Sequence, residues 1–336
     1  MKLFWLKSSK PTAISEVNNL TLEKFSYPNR NTGNPTKKVV IYTNCQGQAI
    51  SNILLGHPTL SLEYDFENAV YLGNYTYINT DESLPWDVIM DADLFIYQPI
   101  SSDRGKHSTA DILKCLKPTC KICSFVYLYN YALWECLVFA DGDYDIGTLG
   151  MKYAVINHEP ITDLRNKGVS FEDIKKQIIS KTFDWKFKER YEKTQSILRE
   201  KEKECSIKVA DFIDSNHKDN MLFYTQNHPS MFFLRYIAKE FIKQIGGHDP
   251  ELLPDEDHLI HPDYNKGRTK HMHYPFGWYA CKYYGYTFIK HPDGSDMSEL
   301  INQAEKIYNN NYVSFSPHRI QQEISFKSLD VYSKLS

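Results

Sequence analysis

Lys38-Val39-Val40-Ile41-Tyr42 runs directly into Thr43-Asn44-Cys45-Gln46-Gly47-Gln48, and that into Ala49-Ile50-Ser51-Asn52-Ile53-Leu54-Leu55. The first stretch is short, β-branched and aromatic, with no polar alternation. That is the pattern of a strand buried on both faces of a parallel sheet. The last stretch spaces its apolar residues as a helix does and stops at Gly56 and Pro58. The polar residues between them form a tight turn from strand to helix.

The same unit recurs on either side of the next turns. Leu94–Tyr97 is a second apolar strand closed by Gln98-Pro99, and Lys121–Leu128 is a third, after a helix over Thr109–Leu116. Alternating strands and helices predict an α/β fold in three layers, a mostly parallel sheet covered by helices on both faces. Ligands of such sheets bind beyond the carboxyl ends of the strands. Cys45, Gln98 and Tyr129-Asn130 fall at those ends.

Further along, Phe171–Ile179 reads as a helix, and the Lys/Glu-rich stretch from Phe183 to Phe212 as one or two amphipathic helices. These make a helical insert over about residues 165–217, with the charge run Arg199–Glu204 on a solvated face. A strand pattern returns at Met221–Tyr224, a polar loop follows at Thr225–Ser230, and Met231–Ile245 forms a helix stopped by Gly246-Gly247. Residues 248–280 read as a loop over a site, and Met297–Tyr308 as a last helix. Residues 1–37, rich in turn formers, are an arm ahead of a single domain spanning 38–336.

Composition narrows the function. The 336 residues are 42% hydrophobic and 14% aromatic, too rich for disorder. With 39 Lys+Arg against 42 Asp+Glu, no global field draws a polyanion, so nucleic acid is not an expected partner. The four-residue apolar run at Leu3–Leu6 is short of both a signal peptide and a membrane span, so the expected location is the cytoplasm. Phe4 and Trp5 leave peripheral membrane attachment open. Seven irregularly spaced cysteines argue for a reducing compartment rather than a disulfide framework.

Two residues stand out chemically. Cys45 precedes a helix whose free N–H groups favour a thiolate, which makes it either a nucleophile or, like most free cysteines, a small buried hydrophobe. Asn44 and Gln46 beside it carry amides that could donate to an oxyanion, which favours the nucleophile. Among twelve histidines, His228 is the best placed base, in a second strand-to-helix loop between Asn227 and Pro229. Its bland alternative is an idle surface side chain. Cys120-Lys-Ile-Cys123 lies in a strand and reads as packing. His258, His261, His271 and His273 read as a polar loop rather than a metal site, and His271-Met272-His273, with both rings on one side of an extended chain, suggests substrate contact. No metal is predicted, and no phosphate-binding glycine motif is present.

Thr43-Asn44-Cys45-Gln46, Tyr97-Gln98-Pro99-Ile100 and Asn227-His228-Pro229-Ser230, in that order, resemble the WcbI-type polysaccharide biosynthesis acetyltransferases of bacterial capsule clusters. The resemblance runs from about Val39 to about Ile289. It implies an SGNH/flavodoxin-like architecture, coenzyme A or acetyl-coenzyme A as acyl donor, and a sugar or polysaccharide as acceptor. It also implies Cys45 at the nucleophile position, His228 at the base position, and Asn44, Gln46, Gln98 and Asn227 around the oxyanion and substrate. The chain departs from the pattern in having Thr43 where the family often has Gly. Thr225 stands where SGNH enzymes place the aspartate that orients the histidine. A thiol needs less activation than a hydroxyl, so a Cys–His pair can act without that third member.

Coenzyme A brings phosphates, for which Arg104, Lys106 and His107 after Gln98 are the candidate contacts, the alternative being an ordinary exposed loop. The expected activity is therefore acetyl transfer to a sugar hydroxyl. The alternatives are a thiol esterase or deacetylase acting on an acylated glycan, and a non-catalytic glycan- or coenzyme-binding module.

Overall fold

The structure is a computed structural model and describes residues 35–135, 137–140, 153–254, 277–289, 297–310 and 313–314. Four strands, β1 (Lys37–Thr43), β2 (Tyr64–Gly73), β3 (Leu94–Tyr97) and β4 (Lys121–Ser124), form a wholly parallel sheet in the order β2-β1-β3-β4. Between them run α1 (Cys45–Leu55), α2 (Leu60–Glu63), α3 (Asn74–Thr80), α4 (Trp86–Met90) and α5 (Thr109–Cys115).

Side chains alternate across β1, and each set enters a different core. Val39 and Ile41 pack with Leu94, Ile96 and Cys123 beneath α1, which contributes Ile50, Ile53 and Leu54. Val40 and Tyr42 pack with Leu72, Phe95 and Tyr97 against Ile89 of α4 and Ile112 of α5. Burying each such side chain is worth roughly 1.5–3 kcal/mol. The uninterrupted apolar run of β1 is explained by burial on both faces, which gives the expected three layers.

After β4 the chain forms β5 (Leu137–Ala140) and β6 (Tyr153–Ile156), which pair antiparallel. Then come α6 (Glu159–Asn166), α7 (Phe171–Ile179), α8 (Phe187–Glu202) and α9 (Ala210–Asn216). The charge run at the end of α8 is not wholly solvated as expected. Glu202 is buried, and its carboxylate accepts the N–H groups of Val209 and Ala210 at 2.7 and 3.1 Å, capping α9. Arg199 pairs with Asp211 and Asp214.

Among the described residues β7 (Phe223–Thr225) pairs with β8 (His228–Pro229) alone, antiparallel, in a separate two-stranded sheet. This corrects the expectation that the second loop would spring from a strand of the main sheet. Helix α10 (Met231–Ile245) follows, its first turn capped by the Ser230 side chain, which accepts from the Phe233 N–H. Its apolar face, including Phe233, Ile237 and Phe241, joins the α1 side of the core. Farther on are α11 (Trp278–Tyr284), α12 (Met297–Tyr308) and β9 (Val313–Ser314), which extends the β5-β6 pair. No described helix is long and apolar enough to cross a membrane. The N-terminal arm up to residue 34, including Phe4 and Trp5, lies outside the described residues.

Candidate active site

At the carboxyl end of β1, Asn44 sits in extended backbone and caps α1, its side chain accepting the Gln46 N–H at 3.0 Å. That makes Cys45 the first helical residue. The turn is tight because Gly47 carries no side chain. A Cβ there would stand 1.9 Å from the Thr43 Oγ1, so the β-branched residue at 43 fits only over a glycine at 47.

Gln46 ties this turn to the rest of the site. Its Nε2 donates to the carbonyls of Leu128 and Asn227, both at 2.8 Å. Its Oε1 accepts from the Leu128 N–H at 3.1 Å and from the Gln98 Nε2 at 3.0 Å. Gln98 in turn accepts the Asn44 N–H at 3.0 Å. Asn44, Gln46, Gln98 and Asn227 are all buried, so these bonds form where an unmade one is expensive. Both amide hydrogens of Gln46 are used, so none is left for an oxyanion. This corrects the role expected of Gln46: it positions the site, while Asn44 and Gln98 keep amide hydrogens outside these bonds.

The bond to the Asn227 carbonyl brings the residue before His228 against the residue after Cys45. A second bond, from the Asn130 N–H to the Gln226 carbonyl at 2.7 Å, fixes the same loop to the segment that leaves β4. His228 is half-buried, and burial pushes its imidazole down to about 4. Cys45 is open to solvent on one side yet enclosed by protein on the others. That enclosure pushes its thiol up to about 11. The N–H groups of Cys45 and Gln46, which favour the thiolate, offset only part of the rise. The expected thiolate is therefore not the resting form: near neutral pH the site holds a neutral thiol and a neutral imidazole.

The Tyr71 and Tyr127 rings flank this turn, both within electrostatic reach of the Cys45 sulfur. Sequence reasoning missed both. The signal available for Tyr127 was its place near the carboxyl end of the Lys121–Leu128 run, at the start of a series of alternating tyrosines.

The expected phosphate contacts lie on the other face of the sheet. The Tyr42 hydroxyl donates to the His107 carbonyl at 3.0 Å, and Tyr42 belongs to the α4–α5 side. Lys106 pairs with the Asp81 carboxylate at 3.0 Å, and the buried His107 reaches it at 3.4 Å. Arg104 is exposed, 4.0 Å from Asp103. Cys123 is fully buried in β4 with its thiol pushed up to about 12, and Cys120 is partly covered. His258, His261, His271 and His273 lie outside the described residues. Among the described residues no cluster of three metal-ligating side chains occurs. A surface hollow of about 470 Å³ beside Tyr191 and Arg199 contains none of the candidate residues.

Residues 38–250 match the family described as polysaccharide biosynthesis enzyme WcbI. All three motifs quoted for the resemblance fall within that span. None of the curated proteins matches. A solved structure is similar over 89% of this chain and 95% of its own, at 19% identity and a TM-score of 0.52. It is described as WcbI, a novel polysaccharide biosynthesis enzyme, in a native form without a disulfide bond between coenzyme A and one of its cysteines. At that identity the likeness speaks for the α/β fold alone.

Proposed function

This chain belongs to the WcbI family of polysaccharide biosynthesis enzymes, and from that premise we propose that it moves an acetyl group from acetyl-coenzyme A to a hydroxyl of a capsular or surface-polysaccharide sugar. The observation that carries the reading is the Gln46 side chain, whose bond to the Asn227 carbonyl holds the His228 loop against the turn bearing Cys45. A merely structural cysteine has no use for a histidine loop fastened to its own turn.

The residues present fit the coenzyme. Cys45 is open to solvent at the carboxyl edge of the sheet, where a thioester arm can reach it. The description of the similar structure names a disulfide between coenzyme A and a cysteine as absent from that native form, and Cys45 is the cysteine we assign to meet the coenzyme in this chain. Of Arg104, Lys106 and His107, the exposed Arg104 is the one that would contact its phosphates, since Lys106 pairs with Asp81 and His107 is buried. When bound, the coenzyme supplies an activated acyl group.

In this mechanism His228 takes the thiol proton as the Cys45 sulfur attacks the thioester carbonyl. His228 then returns that proton to the departing sulfur. Asn44 and Gln98, which keep amide hydrogens outside the Gln46 network, are the donors assigned to the developing oxyanion. In the second half, His228 takes the proton of the sugar hydroxyl as its oxygen attacks the acyl carbon on Cys45, and the proton ends on the Cys45 sulfur. Exchange of one thioester for another loses little free energy, and the oxygen ester formed at the end is the more stable product.

Intact-mass and peptide mapping after incubation with acetyl-coenzyme A, without a sugar, tests the reading. One acetyl group on Cys45 in the wild type and none in Cys45→Ser is expected. An unmodified Cys45 in protein that binds the coenzyme would contradict an acyl-enzyme and leave direct transfer, with His228 deprotonating the sugar. Steady acetate release from an acetyl ester with no sugar present would favour hydrolysis.

A further inference from the structure

Past β4 the chain leaves the sheet, and from Val126 to Tyr131 burial alternates from one residue to the next. Leu128 and Asn130 turn inward and are fully buried, while Tyr127, Tyr129 and Tyr131 are all half-buried. The three rings form one row, with centroids 6.0 Å apart between Tyr127 and Tyr129 and 5.6 Å apart between Tyr129 and Tyr131. One end of the row is at the nucleophile, since the Tyr127 hydroxyl feels the Cys45 thiol and lies by the Asn227 side chain. Toward the other end, Tyr129 is within electrostatic reach of Glu159, an exposed carboxylate in the first turn of α6. The backbone beneath is fixed, because the Asn157 Nδ2 donates to the Tyr131 carbonyl at 2.8 Å and the Asn130 N–H to Gln226.

We infer that this tyrosine row is the acceptor subsite, a platform for the pyranose rings of an uncharged glycan whose reacting hydroxyl points at Cys45. The inference rests on the transfer reading above and names the part of the site that selects its acceptor. An aromatic ring offers a negative face to the weakly positive C–H groups of a sugar ring, while the Tyr129 and Tyr131 hydroxyls and Glu159 can bond its hydroxyls. Charge separates this ligand from the coenzyme. Glu159 beside Tyr129 would repel phosphates, whereas Arg104 and Lys106 lie on the opposite face of the sheet, the side of Tyr42. Tyr131 and Leu128 instead rest on the α1 side of the core. Anionic donor and neutral acceptor thus approach Cys45 from different faces.

The test uses the full chain with three neutral probes, maltotriose, mannotriose and galactotriose, followed by saturation-transfer NMR. Coenzyme A affinity is measured in parallel by calorimetry on the same samples. Transfer to ring C–H protons of at least one probe is expected. It should fall about tenfold in Tyr129→Ala and Tyr131→Ala and persist in Tyr131→Phe, with coenzyme affinity changed less than about twofold. Three results would overturn the inference: no transfer from any probe, transfer that survives loss of both rings in folded protein, or loss of coenzyme affinity in step with the rings, which would make the row a coenzyme contact. The two readings fail separately. An unacetylated Cys45 with intact glycan binding removes the transfer mechanism, while an acetylated Cys45 with no tyrosine-dependent glycan binding removes only the subsite.

Discussion

The two loops that meet at the site are built in different ways. The Cys45 turn follows an inner strand of a parallel sheet, with apolar cores on both faces of β1 and Gly47 packed under Thr43. The His228 loop belongs to a two-residue strand outside that sheet, and Gln46 and Asn130 fasten it to the rest of the site. The proposed nucleophile is thus placed by a strand of the main sheet, and the proposed base by hydrogen bonds to its loop, among them those from Gln46 and Asn130. Changes to the sheet should act on stability, whereas changes to the amides should act on the chemistry.

Removing the proposed base should have the largest effect. His228→Gln is expected to slow acetyl transfer by about 10²–10⁴-fold, with coenzyme affinity retained, as read by single-turnover kinetics. It should also change the acid limb of stability. The imidazole is held neutral in the fold, at about 4 against an ordinary 6.5. Its contribution is therefore present above pH 6.5 and lost as pH falls toward 4, because the unfolded chain takes up the proton first. In the variant that loss should disappear from denaturant titrations run across the same pH range.

Next in size is Gln46→Leu, which strands two buried carbonyls and the Leu128 N–H. A loss of about 3 kcal/mol or more in urea unfolding is expected, since each buried group left unpaired costs about 1–3 kcal/mol. Transfer should fall even in the fraction that remains folded. Unchanged activity there would show that the base loop is held by other means.

Gly47→Ala should be milder, about 1–3 kcal/mol, because it overpacks against Thr43. If that contact is the cause, Thr43→Gly in the same chain should recover most of the loss in a double-mutant cycle. A loss that Thr43→Gly leaves untouched would place the strain elsewhere in the turn.

The parts held by the sheet were also the parts legible in the sequence. β1, β3, α7, α10 and α12 each form one unbroken run with its own periodicity or cap, such as Ser230 ahead of α10. β2 was hidden because Asp65 and Val70 pair with nearby positions of β1 while Phe66–Ala69 intervene, which breaks the pattern. The third strand was read through to Leu128 but ends at Ser124, since the β3 ladder stops at Tyr97 and Gln98 turns to Asn44. The small β5-β6-β9 sheet joins segments too distant for a local pattern to reveal. At the site, residue types and spacing pointed to Cys45 and His228. They could not show that Gln46 spends its amide on two carbonyls, because those partners lie 82 and 181 residues away. They also could not show that enclosure outweighs the helix N-terminus at the Cys45 thiol.

The central claim is that a neutral imidazole deprotonates a neutral thiol, and the rate of Cys45 acetylation by acetyl-coenzyme A against pH tests it most directly. With the imidazole at about 4 and the thiol at about 11, the wild-type rate should be nearly level between those values. In His228→Gln it should be slow and climb about tenfold per pH unit, because only the thiolate can then react. A variant as fast and as level as the wild type would contradict the account, as would a wild-type rate that climbs in the same way as the variant's.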